Sequence, residues 1–315
     1  MRAHDNVIAP VAVTPPAVPR LVPSRAGLGL GLLGMLAFSF SLPANKLAVA
    51  GIDPVSITVL RAAAAGLLAV AYLVAMRAGI PRRADVRDLA LSALGVVVGF
   101  PLFSSLALET SGSGHSAVIL GLLPALTALF GALVGGERLP RGFWIASLTG
   151  VAVLVGYLLA RQWAETGGLA VGVGDLWMLA AAASAGFGYA MGARQARGMG
   201  GAQAISWSLV LVLPVAAPLS VVLLATRQFD WTWTVTGGMV YLVVVSQFLA
   251  FFAWYGGLSR GGIARIGQLQ QVQPLLTIVW SSLLIGELFE PWTIAVGLAV
   301  GVCVWLAQRA RFARV

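Results

Sequence analysis

The sequence predicts an all-α membrane protein of ten transmembrane helices, arranged as two inverted five-helix repeats. Three observations carry the prediction: the composition, the spacing of the apolar runs, and a match of the chain to itself at an offset of 150 residues. Of the 315 residues, 59% are hydrophobic and 10% are charged, against about 25% charged in a soluble protein. Mean hydropathy is +0.92. At about 20 residues per span, ten spans take roughly 200 residues and leave short loops. This composition excludes a soluble enzyme, a disordered chain and a disulfide-stapled scaffold. Cys303 is the single cysteine, and His4 and His115 are the only histidines, so no metal-ligand set is offered. The net charge of +9 does not mark a nucleic-acid binder, because the basic residues gather in gaps between apolar runs and not on one face.

Residues 1–26 read as a disordered cytoplasmic arm, interrupted by Pro10, Pro15, Pro16, Pro19 and Pro23. Ten apolar runs follow, near 28–48, 54–77, 88–108, 114–134, 142–160, 175–195, 203–225, 236–258, 263–285 and 291–308. Each is long enough to cross the hydrocarbon as a helix. β-barrel strands would be half as long and would alternate in polarity. Ala48-Val49-Ala50 resembles a signal-peptidase site, but the preceding run is too long and Lys46 lies beside it. A basic tail spans 309–315.

Orientation follows from the basic residues. One side of the expected topology holds 16: Arg2, Arg20, Arg25, Arg77, Arg82, Arg83, Arg87, Arg138, Arg141, Arg194, Arg197, Arg260, Arg265, Arg309, Arg311 and Arg314. The other side holds Lys46, Arg161 and Arg227, and Arg61 lies inside the second run. The positive-inside rule then makes both termini cytoplasmic in a multi-pass protein of the cell (inner) membrane.

The repeat appears when 115–137 is set above 265–287. Pro124 falls on Pro274, Leu126 on Leu276, Thr127 on Thr277, Leu133 on Leu283, Gly136 on Gly286 and Glu137 on Glu287. Residues 27–160 and 175–308 thus form two units joined by an outer linker, 161–174. Five spans is an odd number, so the second unit enters the membrane from the opposite side, as in many secondary transporters. In each half a helix ends in Leu106-Ala107-Leu108 or Gly257-Leu258. A helix with a central proline and a terminal Gly-Glu follows it. With Pro54 after the first run and Arg61 in the second, this doubled pattern resembles the EamA-domain branch of the drug/metabolite transporter superfamily, over roughly 28–308. The match departs at Phe38-Ser39-Phe40-Ser41, where many members carry Trp. The resemblance implies transport, in the outward direction, with no cargo named.

Several residues are candidates for that work. Pro124 and Pro274 would each free a carbonyl four residues earlier, Leu120 and Gln270. The kink then lines a path or acts as a gate hinge, or it is a packing feature. On a helical wheel Gln270, Gln273, Thr277, Trp280 and Ser281 share one face. The equivalent face of the first half reads Leu120, Leu123, Thr127, Phe130 and Gly131. The glutamines either line a cavity or glue helices together. Gln247, Phe251, Trp254 and Tyr255 form a second face, either a substrate wall or an interfacial aromatic belt. Arg61 either snorkels to the outer headgroups or forms a gating or fold-stabilising ion pair, with Asp53 or a helix dipole end as partner. Glu137 and Glu287 close helices where a carboxylate is disfavoured, so each needs a counter-charge or a helix N-terminus nearby. They read as structural locks, with proton coupling as the alternative. His115 reads as incidental.

The substrate-binding set is therefore Gln270, Gln273, Thr277, Gln247, Tyr255 and Trp254, and the gating or structural set is Pro124, Pro274, Arg61, Glu137 and Glu287. The expected function is a secondary transporter exporting amino acids or related small metabolites by alternating access. A multidrug or nucleobase efflux carrier is the alternative, and a channel the weaker one. Partners are a small-molecule substrate and the lipid bilayer, with protons as candidate coupling ion. No cofactor, metal or enzyme chemistry is implied: no Walker A sequence and no nucleophile–base pair occurs within the runs.

Overall fold

The computed structural model describes residues 25–110, 116, 119–168, 172–285 and 292–309. All the regular structure among them is helical. Among the described residues seven helices are long and apolar enough to cross a membrane: Arg25–Val49, Pro54–Ala75, Arg83–Thr110, Arg141–Ala164, Val173–Met199, Gly201–Thr226 and Trp233–Gly261. Leu123–Leu133 and Leu298–Ala307 are shorter apolar helices. The remaining apolar stretch is broken into Ile263–Gly267, a tight 3-10 turn at Gln268–Gln271, and Gln273–Ile285. One continuous helix was expected over 263–285. The Arg141–Thr166 helix runs on to Gly167, whose φ of 70° ends it in the left-handed conformation.

Local chemistry sets several of the ends. Asp53 caps the Pro54–Ala75 helix by accepting from the Ser56 amide at 3.1 Å, and Pro54 fills the first position, where no amide is needed. Thr232 caps the helix starting at Trp233 in the same way. The Asp175 carboxylate accepts from the Gly172 amide at 2.9 Å. Two helices widen into π turns, at Leu94–Gly99 and Tyr241–Leu249. Such turns are rare and recur at functional positions.

The helices pack in pairs. Pro54–Ala75 lies along Gly201–Thr226, and Arg141–Thr166 along Trp292–Arg309. Arg25–Ser39 lies along Ala250–Gly261, and Phe100–Thr110 along Val173–Met199. Exchanging the two halves maps each of these pairs onto itself or onto another of them. One close approach in the Arg25–Ser39 pair has a visible cause: a Cβ on Gly34 would stand 2.9 Å from the Trp254 backbone, so only glycine lets the two helices touch there. Large apolar side chains such as Leu133, Val215, Val221 and Leu298 remain exposed on the outside. The interior is mainly apolar, and its buried polar side chains include a seam at the broken helices.

Candidate functional site

The seam begins where the chain breaks. In the first half, Gly121 and Leu122 form a turn before the Leu123–Leu133 helix. In the second, the 3-10 turn precedes Gln273–Ile285. The hydrogen bonds of the two turns correspond residue by residue at the offset of 150. The Leu122 amide donates to the Ile119 carbonyl at 3.0 Å, and the Val272 amide to the Leu269 carbonyl at 3.1 Å. The Leu126 amide donates to Leu122, and the Leu276 amide to Val272. Pro124 and Pro274 therefore sit in the first turn of new helices, where a missing amide costs nothing. They are not kinks inside continuous helices, as the sequence reading had them.

The two breaks touch each other. The Gln268 amide donates to the Pro124 carbonyl at 3.5 Å, and the Thr127 hydroxyl to Gln270 Oε1 at 3.4 Å. Gln271 donates to the Ser147 carbonyl and to Gln268. Gln268 and Gln271 thus tie the second break to the neighbouring helices. Gln270 and Gln273 are also buried, but Gln270 Nε2 and Gln273 Oε1 have no protein partner.

Thr277 and Trp280 do something else. Pro43 cannot coexist with a helical bond to the Ser39 carbonyl four residues back, and the first helix breaks there, between Ser39 and Ser41. Thr277 donates its hydroxyl to that freed carbonyl at 2.8 Å, and Trp280 Nε1 donates to Ser39 Oγ at 2.9 Å. Thr277 is thereby engaged in holding two helices together.

On the second expected face, Tyr255 is also structural: its hydroxyl meets Ser92 Oγ at 2.8 Å and the Gly188 carbonyl at 3.3 Å. Trp254 is wholly buried, which excludes an interfacial belt, and its Nε1 has no partner. Its ring packs edge-on to Phe38 and Tyr189 at centroid distances of 6.0 and 5.6 Å. Gln247 donates to the Val96 carbonyl, inside the first π turn, at 3.2 Å, and its Oε1 is unpartnered.

Arg61 is 2% exposed, so it does not snorkel. Its expected partner is engaged elsewhere, since Asp53 pairs with Arg227 at 2.9 Å. Burial pushes the Asp53 carboxyl up, but the hydrogen bonds from Ser56 and the Arg227 charge outweigh it and hold the group below the ordinary value. The contact of Arg61 is Nη2 to Ser246 Oγ at 3.1 Å. Ser246 in turn meets Ser41 at 2.8 Å. Arg61 Nε is unpartnered. An arginine buried within a span is costly, and a single neutral hydroxyl does not offset that cost.

Glu137 finds both of the partners its position calls for. Its carboxylate accepts from the Ile263 and Ala264 amides at 2.6 and 2.8 Å, at the start of the broken helix. Arg197 Nη2 stands 3.4 Å away. Burial raises the Glu137 carboxyl, and the two amides and Arg197 oppose that rise. Beside it, Asp88 accepts from Gln195 at 2.9 Å and pairs with Arg194 at 3.0 Å. Glu287 and His115 lie outside the described residues.

The sequence reading missed Tyr189, Ser41, Ser246 and Phe38. Tyr189 is 4% exposed, stacks on Phe38 and lies within electrostatic reach of both Arg61 and Gln270. A lone tyrosine in the Ala/Gly-rich stretch 180–193 was the available signal. Among the described residues no cluster of three or more His, Cys, Asp or Glu could hold a metal.

Comparison with known proteins adds three findings. The model of the EamA-like transporter family matches twice, at residues 25–159 and 172–307. The uncharacterized transporter YdeK of Bacillus subtilis (strain 168) is 42% identical over 287 residues, covering 89% of this chain and 96% of its own. A protein known from a crystal structure, 22% identical, superposes with a TM-score of 0.72 over 91% of this chain and 100% of its own, a likeness of fold.

Proposed function

Because the chain belongs to the EamA-like transporter family, we propose that it is a secondary carrier that exports amino acids or related small metabolites by alternating access. One observation carries this reading: two helices break at equivalent positions and meet each other through side chains, Thr127 to Gln270 and Gln268 to Pro124. Broken helices meeting inside a membrane protein supply the irregular backbone and free polar groups from which transporter sites are built. We assign the two halves an inverted relation, ten spans and cytoplasmic termini in the inner membrane. Gln270, Gln273, Gln247 and Trp254 then line the site, and Glu137 locks the cytoplasmic end by holding the start of the broken helix.

The test is counterflow in vesicles containing the purified chain, preloaded with members of a panel of amino acids, nucleobases and cationic drugs. Saturable exchange of amino acids supports the reading. Saturable exchange confined to nucleobases or drugs moves the protein to the alternative class, and non-saturable flux makes it a channel. Protons are our candidate coupling ion. An imposed pH gradient should drive net accumulation of the exchanged compound, and its failure to do so assigns a passive facilitator.

A further inference from the structure

We infer that Arg61 is the anion-binding centre of this site and that the cargo carries a carboxylate. The inference rests on the carrier reading above and deepens it. Among the described residues no carboxylate pairs with Arg61: Asp53 is taken by Arg227, Asp88 by Arg194 and Glu137 by Arg197. The guanidinium is 2% exposed, so water does not solvate it. Its Nη2 meets the Ser246 hydroxyl, and its Nε points at no acceptor. A buried charge without a partner is unfavourable, and a bound anion removes that penalty. Guanidinium presents a planar fork of donors that matches a carboxylate through two parallel bonds.

The surroundings narrow the class. Tyr189 lies within reach of the Arg61 charge and of a hydrogen bond with the Gln270 side chain, which joins the cation to Gln270. Tyr189, Phe38, Phe251 and Trp254 form one aromatic cluster, with Phe38 and Phe251 4.9 Å apart. Trp254 Nε1 supplies a further unpartnered donor in that cluster. One guanidinium beside neutral donors and aromatic faces suits a singly charged carboxylate on a planar or apolar body. An organic cation is disfavoured, because the charge at the site is itself a cation.

The experiment uses the full chain purified in detergent, with benzoate and benzamide, and phenylalanine and phenylalaninamide, as paired probes. Apparent Kd is taken from titrated shifts in Tm. In at least one pair the parent should bind the acid about tenfold more tightly than the amide. Arg61→Gln should bind that acid roughly 30-fold more weakly, as expected when one partner of a buried charge pair is lost, with amide binding unchanged. Arg61→Met should lose acid binding equally while its ligand-free Tm stays at or above that of the parent, since it removes an uncompensated buried charge. A parent without acid preference in either pair overturns the inference. So does Arg61→Gln that binds the acid like the parent, or collapse of both variants, which would assign Arg61 to the fold. Counterflow of the same probes separates this claim from the carrier reading. Exchange of amides but not acids keeps the carrier and removes the anion site. Acid binding without any exchange keeps the site and removes the carrier.

Discussion

The two broken helices share a backbone and differ in chemistry. At 119–126 and 269–276 the same turn bonds form and the same proline opens the next helix. Yet the positions held by Leu120 and Leu123 in the first half are held by Gln270 and Gln273 in the second, all four buried. The π turns behave likewise. They end at Gly99 and Leu249, 150 residues apart, but only the second carries a serine–glutamine pair, Ser246-Gln247. The difference teaches that duplication preserves where the chain bends, which both halves need for a central break. It leaves the chemistry of each break free to differ, so that amides stand in one half where leucines stand in the other.

The comparison breaks most completely if the halves are not inverted. A cysteine placed at Gly168 should react with an impermeant reagent from outside and one at Gly198 should not, an all-or-none contrast. Neither position has a neighbour within 4 Å of the new Cβ, so both variants should fold. The opposite labelling would remove the inverted relation.

Next in size is the asymmetry of the breaks. Gln273→Leu copies the first half and removes one polar contact to cargo, worth about 1–3 kcal/mol, hence roughly 5- to 150-fold in the substrate concentration needed. Leu123→Gln should cause no comparable loss. Unfolding of Gln273→Leu would make the glutamine helix glue, and unchanged affinity in both Gln270→Leu and Gln273→Leu would move the site elsewhere.

A smaller effect is expected at the prolines. Alanine at 124 or 274 returns an amide that bonds across the turn and favours a straight helix by about 1 kcal/mol, which is roughly fivefold in the population of the broken form. Transport per molecule should fall by about that factor while abundance holds. Parent-like rates in both variants would reduce the prolines to packing.

The smallest effect is at Glu137. Burial raises its carboxyl above the usual 4.5, with the Ile263 and Ala264 amides and Arg197 opposing. The folded protein therefore holds this proton more tightly than the unfolded chain. Its contribution to stability is fully present below pH 4.5 and is lost as pH rises through the raised value. Glu137→Gln should flatten that part of the Tm–pH profile, and an unchanged slope would remove Glu137 as its source.

Much of the fold was legible because a membrane allows few solutions. Each span must satisfy its own backbone, so apolar runs of spanning length announce helices, and the doubled Pro and Gly-Glu positions announced the family. The site was legible only in part. Gln270 and Gln273 lie buried beside the break, and sequence alone does not separate them from Thr277 and Tyr255, whose hydroxyls bond to neighbouring helices. All four are polar residues on helices, and only their partners differ. Thr277 meets the Ser39 carbonyl freed by Pro43, 238 positions away along the chain. The breaks themselves shift the helical phase, so a wheel drawn through Gln268–Gln273 as one helix joins residues that the 3-10 turn separates.

By itself, then, the sequence determined the helical class, the duplication, the prolines beside which the chain breaks and the half whose break carries amides. These follow from local composition and from prolines that act within four residues of themselves. The tertiary structure decided that Arg61 is buried and without an acidic partner, that Asp53 belongs to Arg227, that Glu137 sits on the Ile263 and Ala264 amides, and that Tyr189 lies within reach of both Arg61 and Gln270. Those are relations between helices distant in sequence. Whether a polar group is satisfied depends on what packs against it, and neither composition nor periodicity along a single helix contains that.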